Sequence, residues 1–324
     1  MSISFFPCFG QYILIRLQSV WNYDKILTIH SNKEVEMKKT FRIKVFSAVI
    51  CLALLAGCGK TVPKDEHEGQ VLVNDGFKEV WITPVPDVEP STLVEEDFSG
   101  EGENVKYTGN FYSVKNGIDV SYHQFDIDWK RVAEAGIEFA IIRVGYRGYT
   151  VGSVFPDEYY EANLKGSIEN GLDTGVYFFS QAISVQEAIE EAEYVIELIE
   201  GFDLTLPVFF DWESEPGYRV DGLSFQTMND CAVAFCETVR NAGYQPGVYF
   251  SKQQGYYAYD LGRLSDYVFW VTNPGDFPDF YYAGDIWQYS MDNAVIPGIP
   301  TPTDLNMMFI EPDYEVADSE TDAD

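Results

Sequence analysis

Histidine is nearly absent from this chain: three residues in 324, at positions 30, 67 and 123, too scattered to assemble a histidine-based zinc site. No glycine-rich phosphate loop occurs, and no Asp-x-Asp-x-Asp-Gly run suggests an EF-hand, so neither a cofactor nor a bound metal is expected. Bases are scarce as well. With 21 Lys and Arg against 52 Asp and Glu, the formal charge is −31, which excludes a nucleic-acid binder. No apolar run reaches the roughly twenty residues that a membrane-spanning helix needs. What is abundant is apolar material: 46% hydrophobic residues, enough for a large core, and 16% aromatics, which suit a core or a cleft for flat, weakly charged rings.

The five cysteines divide by position. Met37 to Lys44 reads MKKTFRIK, with four cations, and is followed by thirteen apolar or small residues, VFSAVICLALLAG, ending at Gly57. A basic start, a short apolar run and a small-residue end are the marks of a secretory signal. Leu55-Ala56-Gly57-Cys58 resembles a bacterial lipobox, which implies cleavage before Cys58 and lipid attachment to its sulfur. Residues 37–57 are therefore read as a lipoprotein signal peptide and 1–36 as a mis-called upstream segment. Only Cys231 and Cys236 then remain in the mature domain. Five residues apart on a helix, they point about 140° from one another, so two buried free thiols are expected rather than a disulfide.

Residues 58–115 read as an acidic tether, with 12 acids against 5 bases from Gly59 onward and prolines at 63, 84, 86 and 90. Within it, apolar stretches on either side of Asn74-Asp75-Gly76 are compatible with a hairpin near 69–85. Residues 311–324, with seven acids and no base, read as a solvated tail.

Between 116 and 310, eight short apolar runs stand out: 117–120, 139–144, 175–179, 207–211, 247–250, 268–271, 285–289 and 304–309. Amphipathic stretches follow the first five, near 128–136, 157–170, 184–200, 222–242 and 253–265. The last two gaps have no room for comparable helices. Continuous apolar runs between helices indicate parallel strands buried on both faces, and eight of them suggest an α/β fold, a TIM-like β/α barrel with an irregular final part.

Barrel enzymes place their chemistry at the C-terminal ends of strands. There the sequence puts Asp119, Asp211 and Glu213, with Asp304 beside the eighth strand. Asp211 and Glu213 are two apart on extended chain, on one face, with roughly 6.5–7 Å between Cα atoms. Close carboxylates in a partly dry pocket raise the proton affinity of at least one, and a carboxylic acid near neutral pH can protonate an alkoxide leaving group. That arrangement suits glycoside hydrolysis. Tyr177, Tyr249, Trp270, Trp287 and Gln288 fall near strand ends and are candidates to contact sugar rings. Arg143, a cation inside an apolar strand, should be paired with an acid. His123, just past the first strand, reads as a structural residue.

The segments NGIDVSYHQFDIDW (116–129), FAIIRVGYRG (139–148), GVYFFSQA (175–182), LPVFFDWE (206–213), PGVYF (246–250), FWVTNPG (269–275), DIWQYS (285–290) and TDLN (303–306) together resemble glycoside hydrolase family 25 in order and spacing. The resemblance implies a barrel of five β/α units followed by three strands. It implies an N-acetylmuramidase-type lysozyme cutting the β-1,4 bond between N-acetylmuramic acid and N-acetylglucosamine, with peptidoglycan glycan strands as partner. It further implies Glu213 as general acid, Asp211 orienting the 2-acetamido group or a water, and Asp119 and Asp304 holding the acid and the sugar in place. A monomer anchored to the membrane and facing the cell wall is expected. A chitinase-like barrel is the alternative enzyme, but its longer acidic motif would need Asp where Leu206 and Phe209 stand. A silent wall-binding lipoprotein is the other alternative.

Overall fold

A computed structural model describes residues 66–312. The lipobox with Cys58, the segments before it and the acidic tail from 313 lie outside the described residues. Among the described residues no helix is long and apolar enough to cross a membrane.

The chain begins with two small antiparallel pairs, β1 (Val71–Asn74) with β2 (Glu79–Ile82) and β3 (Phe98–Ser99) with β4 (Lys106–Tyr107). It then enters β5 (Ser113–Val120), α1 (Trp129–Glu134), β6 (Phe139–Arg147) and a short β7 (Val154–Pro156) lying on the edge of β6. Next come α2 (Tyr160–Glu169), β8 (Asp173–Ser180), α3 (Val185–Ile199), β9 (Val208–Trp212) and α4 (Phe225–Asn241). The rest is β10 (Pro246–Ser251), α5 (Lys252–Tyr257), α6 (Leu261–Leu264), β11 (Val268–Thr272), β12 (Ile286–Ala294) and β13 (Thr303–Ile310).

Strands β5, β6, β8, β9, β10, β11, β12 and β13 pair in turn, and β13 returns to β5, closing an eight-stranded barrel. All eight runs expected from the sequence are barrel strands. Helix starts follow local chemistry: Ser184, Ser224 and Asp128 each accept from the backbone N–H three residues on, so α3, α4 and α1 begin where an oxygen can cap them. In α3 the residues Ala188, Glu191, Ala192, Val195 and Ile199 make one buried stripe against the sheet. Cys231 and Cys236 are both buried free thiols on α4, and burial pushes the Cys231 thiol up to about 12.

The barrel interior is filled by Phe139, Ile141, Phe209, Tyr249, Trp270 and Ile286. Two glycines make this filling possible. Gly117 stands opposite Phe139 and Gly247 opposite Phe209, and a Cβ on either would lie 2.4 Å from the neighbouring ring. Only the missing side chain lets the rings turn inward.

Two features depart from expectation. First, β13 runs antiparallel to both neighbours. Its N-terminal end therefore lies at the end of the barrel where the parallel strands finish. Second, residues 66–115 are not a free tether. Among the described residues the last three strands carry no covering helices, so their outward side chains would meet water. The N-terminal segment covers them: Val105 is buried, and Phe98, Tyr107 and Tyr112 pack edge-on against Trp287 or Phe309. Its backbone is fastened by Ser91 N–H to Tyr281 O at 2.8 Å and by Ala283 N–H to Glu89 O at 2.9 Å. Acidic composition and prolines conceal this role, because each buried apolar run here is only two to four residues long and needs the barrel to bury it.

Candidate active site

Each acid expected from the sequence reaches one end of the barrel. Asp119 sits one residue from the end of β5, and Asp304, at the start of antiparallel β13, is its direct cross-strand partner. Strand β9 ends on Asp211 and Trp212, with Glu213 immediately after. Asp211 is buried, whereas Glu213 opens onto the cleft.

A polar ladder beneath the acids holds Asp119. Its Oδ2 accepts from Asn306 Nδ2 at 2.7 Å and from Gln288 Nε2 at 2.9 Å, and the same Gln288 nitrogen lies 3.2 Å from Asp304 Oδ2. Tyr249 donates to Gln288 Oε1 at 2.8 Å, and the Trp270 indole N–H donates to Asn306 Oδ1 at 2.8 Å. Donation from below fixes which edge of each amide faces the carboxylates. Trp270 is thus a buried floor beneath the acids, and Tyr249 and Gln288 orient them. Gln288 and Asn306 are themselves buried, so the ladder is rigid.

Trp287 departs from the expected role. Its neighbour Gln288 faces inward, so alternation turns Trp287 out of the barrel, where its indole N–H donates to Asn273 O at 2.8 Å and its ring meets Phe98. It belongs to the outer core and not to the cleft.

The Asp211 and Glu213 carboxyls act on each other's proton affinity. Burial first, then the charge and hydrogen bond of Glu213, raise the Asp211 carboxyl well above the usual carboxylate range. Glu213 is raised too, by burial of its carboxyl between the cleft walls and by the charges of Glu215 and Asp119, while its bond to Asp211 works the other way. Both carboxyls therefore keep a proton to higher pH than an ordinary carboxylate does, so a neutral carboxylic acid is available at the cleft. A cation is near without neutralising the pair. Arg143 lowers the Asp211 pKa, yet its own guanidinium is bound to Asp157 through Nε at 2.9 Å and Nη2 at 2.8 Å. Asp157, far from any motif, could be found only from the fold.

Two open cavities meet at Glu213. One, of about 660 Å³, is lined by Asp119, His123, Arg143, Tyr177, Asp211 and Asp304 among others. The other, of about 790 Å³, is lined by Trp212, Glu215, Phe225, Tyr249, Tyr257 and Pro274 among others, and Glu213 is common to both. A polymer laid along the two would cross the acid pair. Behind the strand end, buried Gln181 donates to Glu213 O at 2.7 Å, and Arg219 grips Glu187 with two bonds of 2.8 and 3.0 Å. Gln181 lies in the GVYFFSQA segment, but its hold on Glu213 is not visible in sequence. Among the described residues no group of three or more His, Cys, Asp and Glu is arranged to hold a metal ion.

The family model of the glycosyl hydrolases family 25 matches residues 118–299, more than half of the chain. The chain belongs to that family. It is a glycoside hydrolase with the family's barrel. Similar proteins include YegX of Escherichia coli strain K12, 27% identical over an alignment of 207 positions that covers 59% of this chain and 68% of that one. Lysozyme M1 of Streptomyces globisporus is 28% identical over an alignment of 208 positions that covers 59% of this chain and 66% of the other. The crystal structure of the bacterial lysozyme from Streptomyces coelicolor superposes with a TM-score of 0.50 at 25% identity, covering 60% of this chain and 91% of that one. The chain thus spans about two thirds of the length of these curated relatives, and its segment before residue 118 lies outside the family match.

Proposed function

We propose that this hydrolase is an N-acetylmuramidase that cleaves the β-1,4 bond between N-acetylmuramic acid and N-acetylglucosamine in peptidoglycan. The observation that carries the reading is the carboxyl pair Asp211 and Glu213 at the junction of two open cavities. The similarity to Lysozyme M1 supports the substrate class. In this reading Glu213, the member that opens onto the cleft, gives its proton to the glycosidic oxygen as the bond from the anomeric carbon breaks. Asp211 then orients the 2-acetamido group or the incoming water, whose hydroxyl adds to the anomeric carbon while its proton returns to Glu213. Asp119 and Asp304, held by Gln288 and Asn306, keep further negative charge beside the carbon that becomes positive. Tyr177, on the wall of the first cavity, contacts the sugar, while Gln288 acts through the carboxylates it holds, and Tyr249 and Trp270 act at one remove through Gln288 and Asn306.

The lipobox supports attachment through Cys58 and a wall-facing location outside the cytoplasm. Mass analysis of peptidoglycan digested by the purified protein tests the activity: new reducing N-acetylmuramic acid is expected. Reducing N-acetylglucosamine would make it a glucosaminidase, and no new ends a binding protein. Cys58→Ala in the native host tests the anchor, with loss from the detergent-extracted lipid fraction expected.

A further inference from the structure

The hairpin of β1 and β2 lies outside the family match and has two faces of opposite character. Val73 is buried and Val71, Val80 and Ile82 are partly so. On the other face Leu72 stands opposite Trp81, and both remain open to solvent, 47% and 45% exposed. The Trp81 ring is stacked on His67, with centroids 4.0 Å apart and planes 9° from parallel. His67 Nδ1 is in turn held 2.9 Å from Gln70 Oε1, so the indole is a fixed surface and not a loose side chain. The turn adds Phe77, 79% exposed.

The hairpin is also fastened to the rim of the cleft. Asp75 in its turn, buried, accepts from the Phe77 and Lys78 N–H groups at 2.9 and 3.0 Å and from Tyr257 OH at 2.7 Å. Tyr257, half exposed, is one wall of the cavity that contains Glu213. The hydrogen bond from Tyr257 therefore fastens the turn of the hairpin to the wall of the cleft.

We propose that the outer face of this hairpin, with Trp81 on His67 as its centre and Leu72 beside it, is a glycan-binding surface that takes sugar rings of the same strand beyond those held in the cleft. Flat aromatic rings flanked by apolar side chains match the C–H face of a pyranose, which is neutral. The charge of −31 opposes an anionic lipid headgroup. The inference rests on the muramidase reading for the identity of the strand, and not for the existence of the surface.

The test uses the full chain, its Trp81→Ala and Trp81→Phe variants, and a Glu213→Gln background for binding. On intact peptidoglycan, Trp81→Ala is expected to raise KM about 3- to 10-fold, the change one stacking contact supports, with kcat unaltered. On a soluble tetrasaccharide that fills the cleft alone, kcat/KM should stay at the parent value. Trp81→Phe should restore part of the loss on polymer. In the Glu213→Gln background, sedimentation with insoluble peptidoglycan should fall with Trp81→Ala while the melting temperature is unchanged. Equal KM values on polymer, or an equal loss on both substrates, overturns the proposal. So does unchanged sedimentation combined with lost binding to phosphatidylcholine vesicles, which would assign the face to lipid. Failure of the parent protein to cut either substrate would instead sink the muramidase reading, and sedimentation alone would then decide the hairpin.

Discussion

Two buried carboxylate sites lie on adjacent positions of the same strand ends, and they are built on opposite plans. Phe179 and Ser180 at the end of β8 pair in register with Asp211 and Trp212 at the end of β9. Asp211 turns into the barrel, toward the cleft and another acid. Ser180 turns outward and donates to Glu191 of α3 at 2.5 Å, where Arg147 meets the same carboxylate through Nε at 2.6 Å. Both acids are raised by burial, Glu191 to about 7. Only Glu191 has a dedicated cation. Near Asp211 the one inward cation, Arg143, is already bound to Asp157. Strand parity thus separates a carboxylate placed for stability from a pair left without a bound cation of its own.

The largest effects should dissociate the two sites. Glu213→Gln is expected to lower kcat by about 10²–10⁴-fold, with folding stability unchanged or improved, because a charge-sharing pair is relieved. Arg147→Ala should do the reverse. Glu191 would be left buried without its cation, a loss of about 3–5 kcal/mol in urea unfolding, with kcat per folded molecule near the parent value. If Arg147→Ala costs under about 1 kcal/mol, or if Glu213→Gln cuts at the parent rate, the division of labour is wrong.

The same comparison shows what the sequence can and cannot convey. All eight strands were legible, since each is a continuous apolar run between turns or helices, and all four carboxylates were legible from their positions at the ends of such runs. The direction of β13 was not, because an apolar run reads alike in either direction; yet that reversal is what sets Asp304 opposite Asp119. Trp287 was misplaced by proximity to a strand end, although Trp287 and Gln288 are consecutive and cannot both face the cleft. Asn306, two residues after Asp304 and on its face, could have been found by the same parity. Asp157, Gln181 and the covering role of 66–115 needed the fold, because their partners lie far away in sequence.

A smaller effect concerns pH. An unfolded glutamate titrates near 4.5 and folded Glu191 near 7, so between those values the folded protein holds more protons than the unfolded chain. Stability should therefore fall as pH rises through that window, by up to roughly 3 kcal/mol from this residue. The raised Asp211 and Glu213 carboxyls add a slope of the same sign. Glu191→Gln should flatten part of the slope in urea unfolding measured from pH 4.5 to 7.5, and Glu213→Gln a separate part. A slope that both variants leave untouched would place its origin elsewhere.

The smallest expected effect asks whether Arg143 tunes the pair. Its charge lowers the Asp211 pKa, and Asp157 offsets that charge. Arg143→Gln removes the cation, so the pair should hold its proton to higher pH, and the basic limb of kcat/KM should move up by a fraction of a pH unit to about one. Asp157→Asn leaves the guanidinium without its counter-charge, the cation then acts more strongly on Asp211, and the same limb should move down. The two substitutions break one ion pair, so a merely structural role would lower activity in both without separating their pH profiles. Opposite shifts of the basic limb, in proteins of parent-like circular dichroism, are what an electrostatic role requires, and shifts in the same direction would remove Arg143 from the account of the acid pair.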